Sequence, residues 1–170
     1  DMDSLGASVG MARIAQHFRK DVYIVIDEKT TMATPLLEKL KKSGFFSDIF
    51  ISPDDIDVKM TNNTAAVICD THRPEVAEGY DALRLAKDIV VVDHHRKSSD
   101  YIDSASIMFH DPSASSASEM ATELVQYICD DELLACEAEA LLAGIILDTK
   151  SFTLKTSSAT FDTSSYLKKM

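Results

Sequence analysis

The sequence predicts a doubly wound parallel α/β sheet with helices on both faces. Compact β-branched apolar runs alternate with stretches of helical period, which is the pattern of strand–helix–strand units. Those apolar runs are short and nearly uninterrupted, as in strands buried on both faces. Aspartates and histidines stand just after several of them, at the carboxyl ends where a parallel sheet places its ligand site.

Each element follows in order. Leu5, Val9, Ile14 and Phe18 recur at helical spacing, predicting a helix over Ser4–Phe18. Asp1 and Asp3 precede it, where an upstream strand would end. Val22–Ile26 reads as a buried strand. Thr34 and Pro35 read as the N-cap and first-turn proline of a helix over Leu36–Lys42, closed by Gly44. Ile49–Ile51 is a short strand and Ser52-Pro53-Asp54-Asp55 a turn. Ala65–Cys69 and Ile89–Val92 are further strands, with a helical pattern over Val76–Lys87 between them. Beyond the apolar run Ala105–Phe109 come two long helical patterns, Ser115–Cys129 and Glu132–Leu147, then a polar Ser/Thr-rich tail from Lys150. No internal repeat or low-complexity linker divides the chain, so a single domain is expected.

The 170 residues carry 28 acidic and 17 basic side chains, a formal charge of −11. That balance argues against long nucleic acid held in a basic groove, and against an anionic membrane surface. A composition of 45% hydrophobic and 26% charged residues suits a folded domain with a real core. The apolar stretch Leu141–Leu147 falls well short of the ~20 residues that span a bilayer. Cys69, Cys129 and Cys136 are odd in number, lack a Cys-x-x-Cys pair and sit in apolar sequence, which predicts reduced, buried thiols.

Four positions concentrate the chemistry: Asp1 with Asp3, Asp70 after Ala65–Cys69, Asp93-His94-His95 after Val90–Val92, and Asp148 in Leu147-Asp148-Thr149-Lys150. Taken singly, an Asp-x-Asp pair or a lone aspartate after a strand reads equally well as a helix cap. Asp93-His94-His95 says more, because paired histidines behind a carboxylate that can orient an imidazole form a ligand and its support in one tripeptide. Jointly the four predict a metal site. Oxygen-rich ligation with little nitrogen favours Mn²⁺ or Mg²⁺ over zinc. Two such ions would relieve the repulsion among the carboxylates and suit phosphate-ester hydrolysis. Arg73, Arg96 and Lys97 lie close enough to these motifs to hold a second phosphate, or are solvated surface charges. His72 reads either as a supporting group or as a cap. His17 and His110 have no chemical context, and Met2 is expected to turn into the core. The run Ser113–Ser118 leads into a helix N-terminus that either lines the site or simply starts the helix.

The four motifs, in this order, resemble those of the DHH phosphoesterase superfamily. The stretches Cys69-Asp70-Thr71-His72-Arg73-Pro74, VVVDHHRKS from Val90, PSASSASEM from Pro112 and LDTKSFTLKT from Leu147 look like the GdpP (YybT) group of cyclic-di-AMP phosphodiesterases. The resemblance implies hydrolysis of cyclic-di-AMP to linear pApA with two divalent ions, Mn²⁺ before Mg²⁺. It assigns Asp1 to the first ion, Asp3 to the second, Asp70 as bridge, and His94 and Asp148 to the second. Asp93 supports the histidines, and His95 faces the substrate phosphate as donor or general acid. Catalysis would then rest on His95 and Asp70, with His95, Arg73 and Arg96 contacting substrate. Residues 1–165 would form the DHH domain, cut just inside its first motif, with 166–170 starting a linker to a DHH-associated domain outside this chain. The resemblance also implies a small cyclic dinucleotide as partner and a cytoplasmic place in a membrane-anchored bacterial protein; a homodimer is one arrangement that the sequence leaves open. The rival readings are an oligoribonuclease or pAp phosphatase of the nanoRNase type, and a metal-binding signalling module without catalysis.

Overall fold

A computed structural model of the chain describes residues 1–129 and 132–170. The first helix, α1 (Met2–His17), begins two residues earlier than the apolar spacing indicates. Asp1 is its N-cap: Oδ1 accepts from the backbone N–H groups of Asp3, at 3.0 Å, and Ser4, at 3.1 Å. Asp3 is therefore inside a helix and not on a loop.

The strands are β1 (Ile24–Val25), β2 (Phe50–Ile51), β3 (Ala65–Cys69), β4 (Asp88–Asp93) and β5 (Ile107–His110). All pairings are parallel, as expected, but among the described residues they form two ladders, β1–β2 and β3–β4–β5, and not one continuous sheet. The register pairs Cys69 with Val92 and Asp93 with His110, so β3, β4 and β5 end together on one rim.

Helices α2 (Thr34–Lys42), α5 (Ala117–Cys129), α6 (Ala135–Asp148) and α7 (Ser158–Lys169) complete the larger elements; α3 (Ile56–Lys59) and α4 (Tyr80–Leu83) are single turns. Helix α1 is central. Its Ala7 and Ile14 pack with Ala121, Val125, Leu141 and Ile145, while Leu5, Val9 and Ala12 pack with Ile24, Ile26, Leu37, Leu40 and Phe46. A helix buried on two sides needs little polar surface, hence its apolar content all round. Its approach to α6 is close enough that a Cβ on Gly6 would stand 2.6 Å from the Ala140 carbonyl oxygen. Across the same contact Arg13 grips the buried Glu137 with Nε at 2.9 Å and Nη2 at 2.8 Å.

Three further expectations change. The helical pattern over Val76–Lys87 yields only α4, because Gly79 takes a left-handed φ of +70° and lies so close to Ile56 that a Cβ would stand 2.3 Å from its Cδ1. The polar tail from Lys150 contains α7, started by a reciprocal cap in which Ser157 Oγ accepts from Thr160 N–H and Thr160 Oγ1 accepts from Ser157 N–H. Its inward face is mostly hydroxyls, with Thr160, Thr163 and Ser164 buried beside Leu167. Thr34 is the first residue of α2, while the cap position is Ala33, without a side-chain bond. No disulfide joins the cysteines among the described residues; Cys69 and Cys129 are buried as expected but Cys136 only half-buried, and burial pushes the Cys69 thiol up to about 12. No helix among those residues is long and apolar enough to cross a membrane.

Candidate metal centre

Asp3 is fully buried where α1 meets α5. Its Oδ2 accepts from the Ala117 backbone N–H at 2.8 Å and its Oδ1 from that of Ser118 at 2.9 Å, and the Ser118 hydroxyl donates to the Asp3 carbonyl at 3.1 Å. The first turn of α5 thus binds an anion, as helix N-termini do, but the anion is the protein's own carboxylate. The run Ser113–Ser118 reaches the site in that role. Gly144 makes room for it, since a Cβ there would stand 2.1 Å from Ser118 Oγ and 2.8 Å from Asp3 Oδ1.

Asp70 and His94 come from the shared rim of β3 and β4. Asp70 continues the ladder, donating its N–H to the Val92 carbonyl at 2.8 Å, and then turns with a left-handed φ of +64°. Aspartate tolerates that conformation better than most residues, and such strain collects at functional sites. His94 is fully buried, with Nε2 3.2 Å from Asp148 Oδ2, 3.4 Å from Asp70 Oδ1 and 3.7 Å from Asp3 Oδ2. The last residue of α6, the first turn of α1 and the end of β3 therefore converge on one imidazole.

Among the described residues, Asp70 Oδ1 and both ring nitrogens of His94 are buried without a hydrogen-bond partner. An orphaned buried polar atom costs about 1–3 kcal/mol, so three in one cluster call for a ligand. Ligand atoms of Asp70, His94 and His95 lie within 4.8 Å of one another, as do those of Asp3, His94 and Asp148. Carboxylates with an imidazole suit hard divalent cations, and the residues fit them. With protons alone in the cluster, burial and then the Asp70 carboxylate push Asp3 up to about 7. Burial opposes charge on His94, but Asp148, Asp70 and Asp3 outweigh it and raise the imidazole to about 10.

Asp93 is fully buried and serves other rings than its neighbour's. Its Oδ1 accepts from His95 Nδ1 at 2.8 Å and from the His95 backbone N–H at 3.3 Å, and its Oδ2 bonds His72. Burial works against its charge, yet the bonds from His95 and His72 hold it down to about 2. Asp93 in turn raises the pKa of His95, whose ring is half-exposed. His110 donates from Nε2 to the His95 carbonyl at 2.5 Å and lies edge-on to His72, a context its neighbours in sequence do not reveal.

The remaining predicted residues lie further out. Asp1 is exposed, caps α1 and belongs to neither of the ligand groupings above. Arg73 is exposed and paired with Glu75, Arg96 is exposed, and the Lys97 ammonium sits 4.1 Å over the Tyr101 ring. His17 pairs with Glu132 at 2.8 Å on the surface, and Met2 packs against the core.

The family model described as the DHH family, N-terminal domain, matches residues 1–145. The chain is 42% identical over 99% of its length to the cyclic-di-AMP phosphodiesterase GdpP of Geobacillus thermodenitrificans, and 40% identical over 99% to that of Bacillus subtilis. It is 36% identical, over its full length, to the cyclic-di-AMP phosphodiesterase PdeA of Listeria monocytogenes. It spans about a quarter, 26%, of each of these proteins. Two solved structures share the fold. An exopolyphosphatase-related protein from Bacteroides fragilis is 18% identical with a TM-score of 0.78, and a Methanococcus jannaschii putative family II inorganic pyrophosphatase is 20% identical with 0.65. Each alignment covers 99% of this chain, and 49% and 52% of those proteins respectively.

Proposed function

We propose that this chain, which belongs to the DHH family, is the cation-holding lobe of a phosphodiesterase that hydrolyses cyclic-di-AMP to linear pApA. The observation that carries the reading is the convergence of Asp3, Asp70 and Asp148 on His94, with Asp70 Oδ1 and the His94 nitrogens lacking hydrogen-bond partners among the described residues. The named activity of relatives similar over nearly the whole chain supports the choice of substrate. The lobe would work within a longer bacterial protein anchored in a membrane.

Asp3, Asp70, His94 and Asp148 would hold two divalent cations, Mn²⁺ by preference. Asp1 would add the one carboxylate oxygen that does not cap α1. Bound there, the cations would offset the clustered carboxylates and stabilise charge developing on a phosphate. The α5 N-terminus keeps Asp3 in place, and the left-handed turn at Asp70 aims its carboxylate at His94. His95 has its Nδ1 on Asp93, which favours the protonated ring and leaves Nε2–H to meet substrate. As a water oxygen bonds to phosphorus and the P–O3′ bond breaks, the leaving oxygen takes that Nε2 proton. The proton lost by water passes to solvent, which returns one to His95. Arg73 and Arg96 would meet the second phosphate as exposed cations, Arg73 after leaving Glu75.

The test is turnover in the intact protein with Mn²⁺, across cyclic-di-AMP, pApA, pAp and short oligoribonucleotides. Cyclic-di-AMP is expected to lead in kcat/KM, and Asp70→Asn or His94→Ala to abolish turnover. Preference for pAp or a linear substrate by orders of magnitude would replace the substrate. Full metal-dependent activity in either variant would refute the ligand assignment, and Mn²⁺ binding with no turnover of any substrate would leave a signalling module.

A further inference from the structure

His72 stands two residues beyond Asp70, is as deeply buried as His94 and connects two parts of the site. The Ser98 backbone N–H donates to its Nε2 at 2.9 Å. A nitrogen that accepts carries no hydrogen, so in the neutral ring the proton is on Nδ1, which faces Asp93 Oδ2 and donates to it. The other oxygen of Asp93 holds His95. A carboxylate bonded through one oxygen can still turn about its last torsion; bonded on both sides by rings, its plane is fixed, and with it the plane of His95. The His72 carbonyl also accepts from the Ile102 N–H at 2.9 Å. The segment that carries Arg96 and Lys97 is thus tied to the same residue at Ser98 and at Ile102.

We propose that His72 is a positioning residue: through Asp93 it holds His95 in the orientation that protonates the leaving oxygen, and through Ser98 it anchors the basic segment behind it. The inference rests on the phosphodiesterase reading above. A merely structural histidine would contribute to folding alone, whereas this one has two separable links. Asparagine puts an N–H donor where Nδ1 stands but falls short of Ser98. Glutamine puts a carbonyl oxygen where Nε2 stands but withdraws the donor to Asp93.

The experiment compares His72→Gln and His72→Asn with wild type in the intact protein, using cyclic-di-AMP and Mn²⁺. The Gln variant is expected to lose about 10- to 100-fold in kcat with KM within about threefold, as when support behind a working histidine is removed. The Asn variant is expected to keep kcat within about threefold and to raise KM. Equal kcat losses in both, or no loss in either, would overturn the positioning role. A wild type that turns over none of the cyclic dinucleotide would instead sink the cyclic-di-AMP reading. In that case the imidazole nitrogen shifts of the histidine-labelled wild type still decide on His72. Nδ1–H with an accepting Nε2 is expected, assigned by its loss in the variants, and the opposite tautomer would overturn the proposal.

Discussion

Gly144→Ala is a one-carbon change that the geometry makes severe. The new Cβ would lie 2.1 Å from Ser118 Oγ, 2.9 Å from Ser118 Cβ and 2.8 Å from Asp3 Oδ1. None of these is the loose end of a flexible side chain: Ser118 bonds the Asp3 backbone, and Asp3 is held by two N–H groups of α5. Relief requires α6 to move off α1 and α5, or Asp3 to leave its seat. Overpacking of this kind costs about 1–3 kcal/mol, and the contacts argue for the upper end. Alanine returns about 1 kcal/mol of helix propensity over glycine, leaving about 2 kcal/mol of net destabilisation. For a chain of this size that lowers Tm by about 4–8 °C.

The control is Gly10→Ala. Its Cβ would meet Leu141 Cδ2 at 3.0 Å and Ala121 Cβ at 3.3 Å, and a leucine methyl can give by a few tenths of an ångström. Its melting point is expected to stay near that of wild type. The two variants also separate at the site, because only Gly144→Ala presses on Asp3, and its Mn²⁺ affinity should fall about tenfold or more, measured by calorimetry. Ser118→Ala in the Gly144→Ala background removes the closest atom, so the pair should be less destabilised than the sum of the single changes. Equal melting points for Gly144→Ala and Gly10→Ala, with equal Mn²⁺ affinities, would show that Ser118 and Asp3 yield freely to the new Cβ.

The cluster also predicts a pH dependence of the metal-free protein. Asp3 is raised to about 7 and His94 to about 10, so their protons stabilise the fold at low pH, and that contribution drains away from about pH 4 to 7 for Asp3 and from about pH 6.5 to 10 for His94. Asp93, held at about 2, acts oppositely, with stability present above about pH 4 and lost as pH falls toward 2. Urea midpoints at pH 5, 7 and 9 should therefore decline upward, and saturating Mn²⁺, which displaces those protons, should flatten or reverse the trend. A metal-free midpoint that rises with pH would contradict the burial of Asp3 beside like charges. Separately, Arg13→Met leaves Glu137 buried with the Leu134 N–H as its one remaining donor among the described residues, and should cost about 3 kcal/mol by chemical denaturation. A cost below about 1 kcal/mol would show that Glu137 finds water or a new partner.

What the sequence makes legible is the set of groups that follow an apolar run. Asp70 and Asp93-His94-His95 stand directly behind β3 and β4, and parallel register brings such positions to one rim whatever the loops do. Asp148 is legible by residue type, although it ends a helix. Packing is harder to read, because it depends on which surfaces meet. Asp3 looks like a loop aspartate until Asp1 starts α1 early, and nothing near it in sequence announces that its partners are 114 and 115 residues away. Gly144 looks like a helix-weakening glycine until Ser118 is seen against it. His72 has one ambiguous context in sequence and, in space, hydrogen bonds with Asp93, Ser98 and Ile102 and an edge-on contact with His110. Helix α7 escapes notice because its inward face is largely hydroxyl, whereas apolar periodicity is the signal that reading depends on.

Composition gives an acidic chain, but the consequences of that charge depend on where donors are supplied. Asp93 has both oxygens bonded by histidines, and its pKa is depressed. Asp3 has both oxygens on the α5 N-terminus, yet remains raised because burial and the Asp70 charge outweigh two amides. Asp70 differs from both: its Oδ1 faces His94 Nε2 at 3.4 Å, and neither atom has a hydrogen-bond partner among the described residues. A cation gains most where existing donors supply least, so the space between Asp70 and His94 is where the first divalent ion should bind most tightly. Because binding there stabilises only the folded chain, the stability that Mn²⁺ adds should rise and fall with Mn²⁺ affinity through changes at Asp70, whereas changes at Arg13, which lies on α1 away from those atoms, should move the stability of the metal-free fold and leave that increment unchanged.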